Sequence, residues 1–478
     1  MRSSTNITED ILSVAPNLKV IGRAGIGVDN IDIGAATNAG TIVMNTPFGN
    51  AITTAEHTIA MMFALARQIP QASASTHEGK WEKSKFMGQE LFSKTLGIIG
   101  CGNIGAIVAS RALGIQMKVL AYDPYLTQER ATEMGVQKAE LEDIFEKADF
   151  ITLHTPLTDK TRGLIGADNI AKMKKGVYII NCARGGLIDE DALKQALDAG
   201  HVAGAALDVY SVEPAKENVL FGHDKVVCTP HLGASTVEAQ VNVAVQVAEQ
   251  ISDYLLTGAV TNAINMASIS AEDAPQLQPY MGLAEQMGNF AGQIARNAIT
   301  AIEIEYEGHV ADVNTKPLTA ILLAGILSPM MEGVNIVSAP ARAAERGIDI
   351  KTSKRAQSDA FQTLINIVIT TEQGQHNVTG TLFGNNAPRI VNVDTVPIET
   401  ELTEHMLFIR NLDQPGLIGQ VGSILGDAGL NIAGFRLGQM PSGGKAIAIV
   451  SIDENISDDL LAKIDGLPQV ERVQAITF

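Results

Sequence analysis

Gly100-Cys101-Gly102-Asn103-Ile104-Gly105 directly follows the apolar run TLGII and leads into a helical pattern. Three glycines at this spacing have separate uses. The first permits a tight turn, the second lets a pyrophosphate approach the backbone at a helix start, and the third allows close packing of helix on strand. Asp123 follows 18 residues after Gly105, at the end of the next apolar run, where a carboxylate can accept from a ribose 2′-hydroxyl. Its charge would repel a 2′-phosphate, so the pattern favours NAD over NADP. Glycines serving only as turns would explain the spacing but not the acidic residue.

A second group of polar residues is spread over three short segments, NCARGG (181–186), DVYSVEP (208–214) and TPHLG (229–233). Each follows an apolar run, so in a parallel sheet all three turns lie beyond carboxyl ends of strands, where ligands bind. Arg184, Glu213 and His231 then become candidates for one active site. Oxidising a 2-hydroxy acid by hydride transfer needs a base for the hydroxyl proton, and imidazole has a suitable pKa. A carboxylate such as Glu213 would raise that pKa and fix the tautomer. Arg184 supplies a planar, permanently charged fork for a substrate carboxylate. Taken singly, each of these residues is more often structural, and their shared location carries the reading.

The elements that must position these groups are legible as a pattern. From Thr95 to about Pro230 the runs TLGIIG, MKVLAYD, DFITLH, GVYIINC, AGAALDV and KVVCTP alternate with helical stretches, as in βαβ units of a buried parallel sheet. Right-handed crossovers then build a doubly wound, Rossmann-type domain. AITTAEHTIAMMFALARQ and STVEAQVNVAVQVAEQISDYLL flank it with helical spacing that suits packing on another domain. Upstream, NLKVIGRAGIGVDNIDI and GTIVMNTP read as pieces of a smaller α/β lobe. VTNAINMASISAEDAPQLQPY, without sustained period, reads as a linker. A middle region with the alternating strand ITAIEIEYEG runs to about Thr400, and the last 75 residues read as βαββαβ, the ferredoxin-like order.

Composition bounds the function. Lys and Arg total 35 against 53 Asp and Glu, a net charge of −18, which disfavours nucleic acid and anionic membranes as partners. Cys101, Cys182 and Cys228 are too few and too scattered for a disulfide framework or a zinc ribbon, which points to a reducing compartment. LTAILLAGILSPMM (318–331) is too short to span a bilayer, and no secretory signal is apparent at the N-terminus, so a cytoplasmic location is expected.

GCGNIG, HTPLT, NCARGGLID, GAALDVYSVEP and TPHLGAST together resemble the D-2-hydroxyacid dehydrogenases. IGRAGIGVDNID, GKWEKSKFMGQEL, APARAAERG and the tail resemble the long-form members that oxidise a phosphorylated 2-hydroxy acid, 3-phosphoglycerate, at the entry to serine synthesis. The resemblance implies that Arg184 orients the substrate, that His231 is the acid/base and that Glu213 assists it. It implies cofactor contacts from Gly100, Gly102, Asn103, Ile104, Gly105, Asp123, Thr155, Cys182, Asp208, Gly233 and Ala234. Substrate contacts are implied for Arg2, Arg23, Ile26, Gly27 and Lys83, with no metal.

The domains implied are a substrate lobe (1–46 and 235–262), an NAD-binding domain (47–234), an α+β intervening domain (280–400) and a ferredoxin-like ACT domain (404–478). Asn411, Asp413 and Asn431 match positions at which ACT domains hold an amino acid, here serine or a similar one, across a dimer. A homodimer or homotetramer is expected. Arg342, Arg346 and Arg389 of the middle domain are expected to form a solvated arginine face. By the same resemblance, about fifty residues carrying the lobe's first strand and helix would precede Arg2, so a small lobe with an exposed sheet edge is expected. Two other readings are open: a related dehydrogenase acting on glyoxylate or hydroxypyruvate, and a ligand-binding scaffold without turnover.

Overall fold

The computed structural model describes residues 1–2, 4–295, 297–357, 361–384, 386–440 and 443–478. It divides into two compact units. One comprises Ala24–Ile26 and Thr46–Gln246, the other Met1–Arg23, Gly27–Asn45 and Val247–Phe478.

The chain begins in the second of these with β1 (Val20–Arg23) and β2 (Ile42–Asn45), paired in parallel across the helix Ile33–Asn38. The next seven strands build the other unit: β3 (Thr95–Ile99), β4 (Lys118–Tyr122), β5 (Gln137–Lys138), β6 (Phe150–Leu153), β7 (Val177–Asn181), β8 (Val202–Leu207) and β9 (Val226–Cys228). All pair in parallel, in the order β5-β4-β3-β6-β7-β8-β9. The order reverses between β3 and β6, which opens a crevice at their carboxyl ends.

The apolar runs fill both faces of this sheet. Leu96, Ile98 and Phe150 pack on one side against Met62 and Leu65 of helix Ala51–Ala66 and Val108 of helix Asn103–Gly114. Ile99, Ile151 and Ile179 pack on the other against Ile144, Ile170 and Leu193 of three further helices. Each such side chain contributes roughly 1.5–3 kcal/mol on burial. Helix Ala51–Ala66 therefore covers the nucleotide sheet itself, where the spacing suggested packing on another domain. The apolar stripe of the helix is buried, and its partner lies in sheet strands distant in sequence.

In the remaining unit the segment expected to be a linker is packed. Val260 pairs with Ile269, Ala263 bridges to Met44, and the Asn265 amide holds Val43 N and Thr41 O. Its polar side chains satisfy backbone groups of the lobe, so absence of period here marks a laced segment and not a free one. Helix Ala274–Ala295 follows at once.

A six-stranded sheet comes next: β10 (Ile299–Gly308), β11 (Asp349–Arg355), β12 (Thr363–Thr371), β13 (Gly374–Phe383), β14 (Ala387–Val393) and β15 (Val396–Thr400). The tail folds as β16 (His405–Leu412), helix Leu417–Asp427, β17 (Ile432–Gln439), β18 (Lys445–Ile452), helix Asp458–Asp465 and β19 (Val470–Thr477), the βαββαβ order expected. One face of this four-stranded sheet packs on its own two helices through Leu407, Ile409 and Val450. The other face, with Met406, Phe408, Ile449 and Ile476, enters the same core as Phe290, Leu322 and Ile367 of the middle region. Phe290 and Phe408 meet edge to face at 5.9 Å. Among the described residues no helix is long and apolar enough to cross a membrane.

Candidate active site

The glycine turn sits at the carboxyl end of β3, at the reversal of strand order. Gly100 has φ +93°, and a Cβ there would come within 2.6 Å of the His154 carbonyl group. Gly105 lies so close to the Gly100 carbonyl that a Cβ would approach its oxygen to 2.1 Å, whereas a Cβ on Gly102 would meet nothing within 4 Å. The turn is thus tight where the fold requires it and open where a pyrophosphate would lie. Asn103 and Ile104 begin the helix beneath that opening, and Thr155 backs the turn from the end of β6. Asp123 directly follows β4, and its carboxylate accepts from Cys101 N and Tyr125 N, both at 2.8 Å. It therefore ties the glycine turn to the next strand while keeping acceptor capacity for a ribose hydroxyl. These residues fit a dinucleotide.

The second group gathers at the ends of β7, β8 and β9. Glu213 Oε2 lies 2.6 Å from His231 Nδ1, and Glu213 Oε1 accepts from Tyr210 N at 3.0 Å. The hydrogen bond that His231 donates to Glu213 raises the His231 pKa against the opposing effect of burial. Burial would in turn raise Glu213, but the bonds from His231 and Tyr210 N hold its carboxyl below the ordinary value. Arg184 stands half-buried after β7, its Nη1 donating to the Ala183 carbonyl at 2.7 Å and its charge felt at His231.

Behind this pair lies Asp208, fully buried. Its Oδ1 accepts from Thr229 Oγ1 at 2.6 Å and Leu232 N at 2.7 Å, and its Oδ2 accepts from Gly233 N at 2.8 Å. The Asp208 carbonyl accepts from His231 N at 2.8 Å. Asp208 therefore defines the turn that carries His231 and the Gly233–Ala234 backbone. Cys182, also buried, has its thiol pushed up to about 12, first by burial and then by the Asp208 charge. A cavity of about 400 Å³ opens beside the pair, lined by Tyr210, Phe221, Cys228 and Pro230 among others.

Three participants were not singled out in the sequence. Gly185 sits where a Cβ would fall 1.7 Å from the Tyr210 carbonyl oxygen, so only glycine lets the Arg184 turn lie against the Glu213 turn. His57 and Thr229 meet Asp208. Gly185 could have been found as the fourth residue after the strand in NCARGG; His57 lies in an ordinary helical pattern.

The expected substrate contacts fall in both units. Ile26 and Lys83 belong to the unit with the parallel sheet, Lys83 exposed; Arg2, Arg23 and Gly27 belong to the other. The Arg2 carbonyl accepts from Asn30 Nδ2 at 3.2 Å, and Arg23 closes β1. Of the expected effector residues, Asn411 is buried near the end of β16, and the exposed Asp413 accepts from Gln439 Nε2 at 3.0 Å. Asn431 precedes β17 at the opposite end of the same sheet, since Ile432 is in register with Ile452 and His405, while Leu412 is in register with Lys445. One chain does not bring the three together. In the middle domain Arg342 pairs with Glu345 at 3.2 Å, and Arg389 pairs with Glu401 and lies over the Phe383 ring.

Comparison with known proteins gives this arrangement its family. Residues 59–233 match the model for the D-isomer specific 2-hydroxyacid dehydrogenase, NAD binding domain; residues 276–394 match the D-3-phosphoglycerate dehydrogenase intervening domain; and residues 405–469 match the ACT domain. A D-lactate dehydrogenase from Aquifex aeolicus, solved with NAD and lactic acid, superposes with TM-score 0.51 at 30% identity over 56% of this chain and 86% of that one. The chain is thus an oxidoreductase of the D-2-hydroxyacid dehydrogenase class, with NAD as cofactor.

The D-3-phosphoglycerate dehydrogenase of Bacillus subtilis is 43% identical over 100% of this chain and 91% of its own length. That of Synechocystis is 45% identical over 97% and 84%. The chain belongs to the D-3-phosphoglycerate dehydrogenase family.

Proposed function

We propose that the chain oxidises 3-phospho-D-glycerate to 3-phosphohydroxypyruvate with NAD, the first step of L-serine biosynthesis, in the cytoplasm. The observation that carries this reading is the 2.6 Å contact of Glu213 with His231 Nδ1, on a turn held at the end of a parallel sheet beside Arg184. The name shared by relatives that match the whole chain supports the substrate.

NAD, when bound, supplies the hydride acceptor. Glu213 accepts the Nδ1 hydrogen of His231, which leaves Nε2 with its lone pair directed to the substrate hydroxyl, and Nε2 takes that proton as the C2–H bond breaks. Arg184 orients the carboxylate through its fork. Cys182, Asp208, Gly233 and Ala234 flank the nicotinamide, and Asn103, Ile104, Thr155 and Asp123 hold the rest of the dinucleotide. Arg2, Arg23, Ile26, Gly27 and Lys83 serve the acid and its phosphate. The division into a substrate lobe, an NAD-binding domain (47–234), an intervening domain and an ACT domain belongs to the same reading.

Serine, or an amino acid of its size, is the effector, held by Asn411 and Asp413 of one chain and Asn431 of a second. Apolar side chains that stay half exposed or more, among them Phe48, Ile52, Trp81, Met87, Val237 and Val241, suit a homodimer or homotetramer. Light scattering reads the assembly.

The test is steady-state NADH formation from 3-phosphoglycerate, compared as kcat/KM with lactate, and with glyoxylate and hydroxypyruvate in reverse, with and without millimolar serine. A higher kcat/KM for the unphosphorylated acids overturns the substrate. Turnover unchanged in His231→Ala overturns the base.

A further inference from the structure

Asp208 is an anion without exposure to water, and a buried charge costs several kcal/mol unless its surroundings compensate it. Besides Thr229, Leu232 and Gly233, the carboxylate meets His57, from the middle of helix Ala51–Ala66: Nε2 stands 3.3 Å from Asp208 Oδ1 and 3.2 Å from Thr229 Oγ1. The hydrogen positions follow from the donor count. Thr229 has one hydroxyl hydrogen and gives it to Asp208 at 2.6 Å, so its oxygen can only accept from His57. An ionised Asp208 can likewise only accept. The imidazole therefore carries its hydrogen on Nε2 and shares it between the two oxygens.

This matters because Asp208 must accept on both carboxylate oxygens at once. A protonated carboxyl would surrender one of them, releasing Leu232 N or Gly233 N and with it the turn that carries His231. Burial pushes Asp208 toward that state, and the bonds from His57, Thr229 and Leu232 N push it back below the ordinary carboxylate value. Of the other titratable groups around Asp208, Cys182 after β7 and Tyr210 and Glu213 after β8 are anionic when ionised, and His231 is cationic when protonated. Of the side chains that donate to the carboxylate, His57 and Thr229 come from different elements, and His57 bonds to both partners.

We propose that His57 is a positioning residue for the reaction: its Nε2–H, shared between Asp208 and Thr229, keeps the buried carboxylate ionised and the 229–233 turn aimed. The proposal rests on the reading of His231 as the base. His57→Leu removes the donor. It lowers kcat roughly ten- to hundredfold, the scale of a misaligned reacting group. It also steepens the acid limb of kcat/KM, which His231 otherwise sets alone, and moves it to higher pH, because a buried Asp208 short of one donor then takes up its proton in the same range. His57→Gln, whose amide nitrogen can donate from a similar place, restores both kcat and the limb.

Wild-type kcat and an unshifted limb in His57→Leu overturn the proposal, as does equal impairment of both variants with the limb in place. Should His57→Leu not fold, nitrogen-15 imidazole spectra of the unaltered protein decide: a proton on Nε2 is expected, and a neutral ring protonated on Nδ1 overturns the assignment. The spectra do not depend on turnover, so they separate failure of this proposal from failure of His231 as base, which His231→Ala reports.

Discussion

Arg410 of β16 grips Asp394, the first residue of the two-residue turn joining β14 to β15, and both turn residues have positive φ, +48° at Asp394 and +70° at Thr395. Arg410 Nη2 also lies 3.0 Å from His376 Nδ1, and Asn377 N donates to Asp394 Oδ1 at 3.0 Å. A β-branched residue in the left-handed region is strained by about 1–3 kcal/mol, and a turn with two positive φ angles matches the twist of a hairpin. The tail sheet thus holds in place a turn of the neighbouring sheet that its own sequence disfavours.

Thr395→Gly keeps the turn and removes the strain, so the melting temperature should rise. Arg410→Met should cost about 2 kcal/mol at neutral pH, the scale of a hydrogen bond to a charged group. Burial would raise Asp394, but His376, Arg410 and Asn377 N hold it below its ordinary pKa. A depressed carboxylate stabilises above its unfolded pKa and loses that contribution as pH falls through the folded one. The gap between wild type and Arg410→Met in thermal melts should accordingly narrow below about pH 4.

Glu213→Gln removes the charge that raises His231. In the oxidative direction the base must be neutral, so activity rises with pH through the His231 pKa. The variant's rise in kcat/KM should come at lower pH than in wild type, with kcat reduced by roughly tenfold or more for loss of an ionic orienting partner. An unmoved limb would show that Glu213 only packs.

Gly102 and Gly105 should separate cofactor binding from stability. Gly105→Ala drives a methyl into the Gly100 carbonyl and should lower the melting temperature, at a cost of about 1–3 kcal/mol. Gly102→Ala has open space and should melt as wild type while weakening NAD. Titration by NADH fluorescence beside a melt reads both.

Asp123→Ser removes the charge facing a 2′-phosphate. The ratio of kcat/KM for NAD to that for NADP should fall by an order of magnitude, roughly 1.4 kcal/mol. The variant should also loosen Cys101 N, seen as faster amide exchange at the glycine turn.

Much of the fold was legible because its signals are local. Apolar runs on both faces announced the parallel sheet, and each of Gly100, Asp123, Arg184, Glu213 and His231 stands just past such a run. His57 was not legible. It occupies one position of the helical pattern AEHTIAMM, and its partner Asp208 is 151 residues away, so neither periodicity nor spacing connects them. The laced segment after Ala259 escaped for a similar reason, since Asn265 bonds to backbone at 41 and 43 rather than to neighbours. Nor did the alternation in HMLFIRN say which body would receive its second apolar face. The residues expected to hold an effector lie at the two ends of one sheet, because β16 and β17 start from the same end of it.

The middle region and the tail sheet share one core. Were residues 405–478 deleted, Phe290 would lose Phe408, and the methionine and isoleucines that β16, β18 and β19 bring would leave the helix Ala274–Ala295 wet on that side. The tail is no detachable cassette. Cut away the tail, and the middle region would present a fresh apolar face to water, one that binds a hydrophobic dye or glues two such chains together.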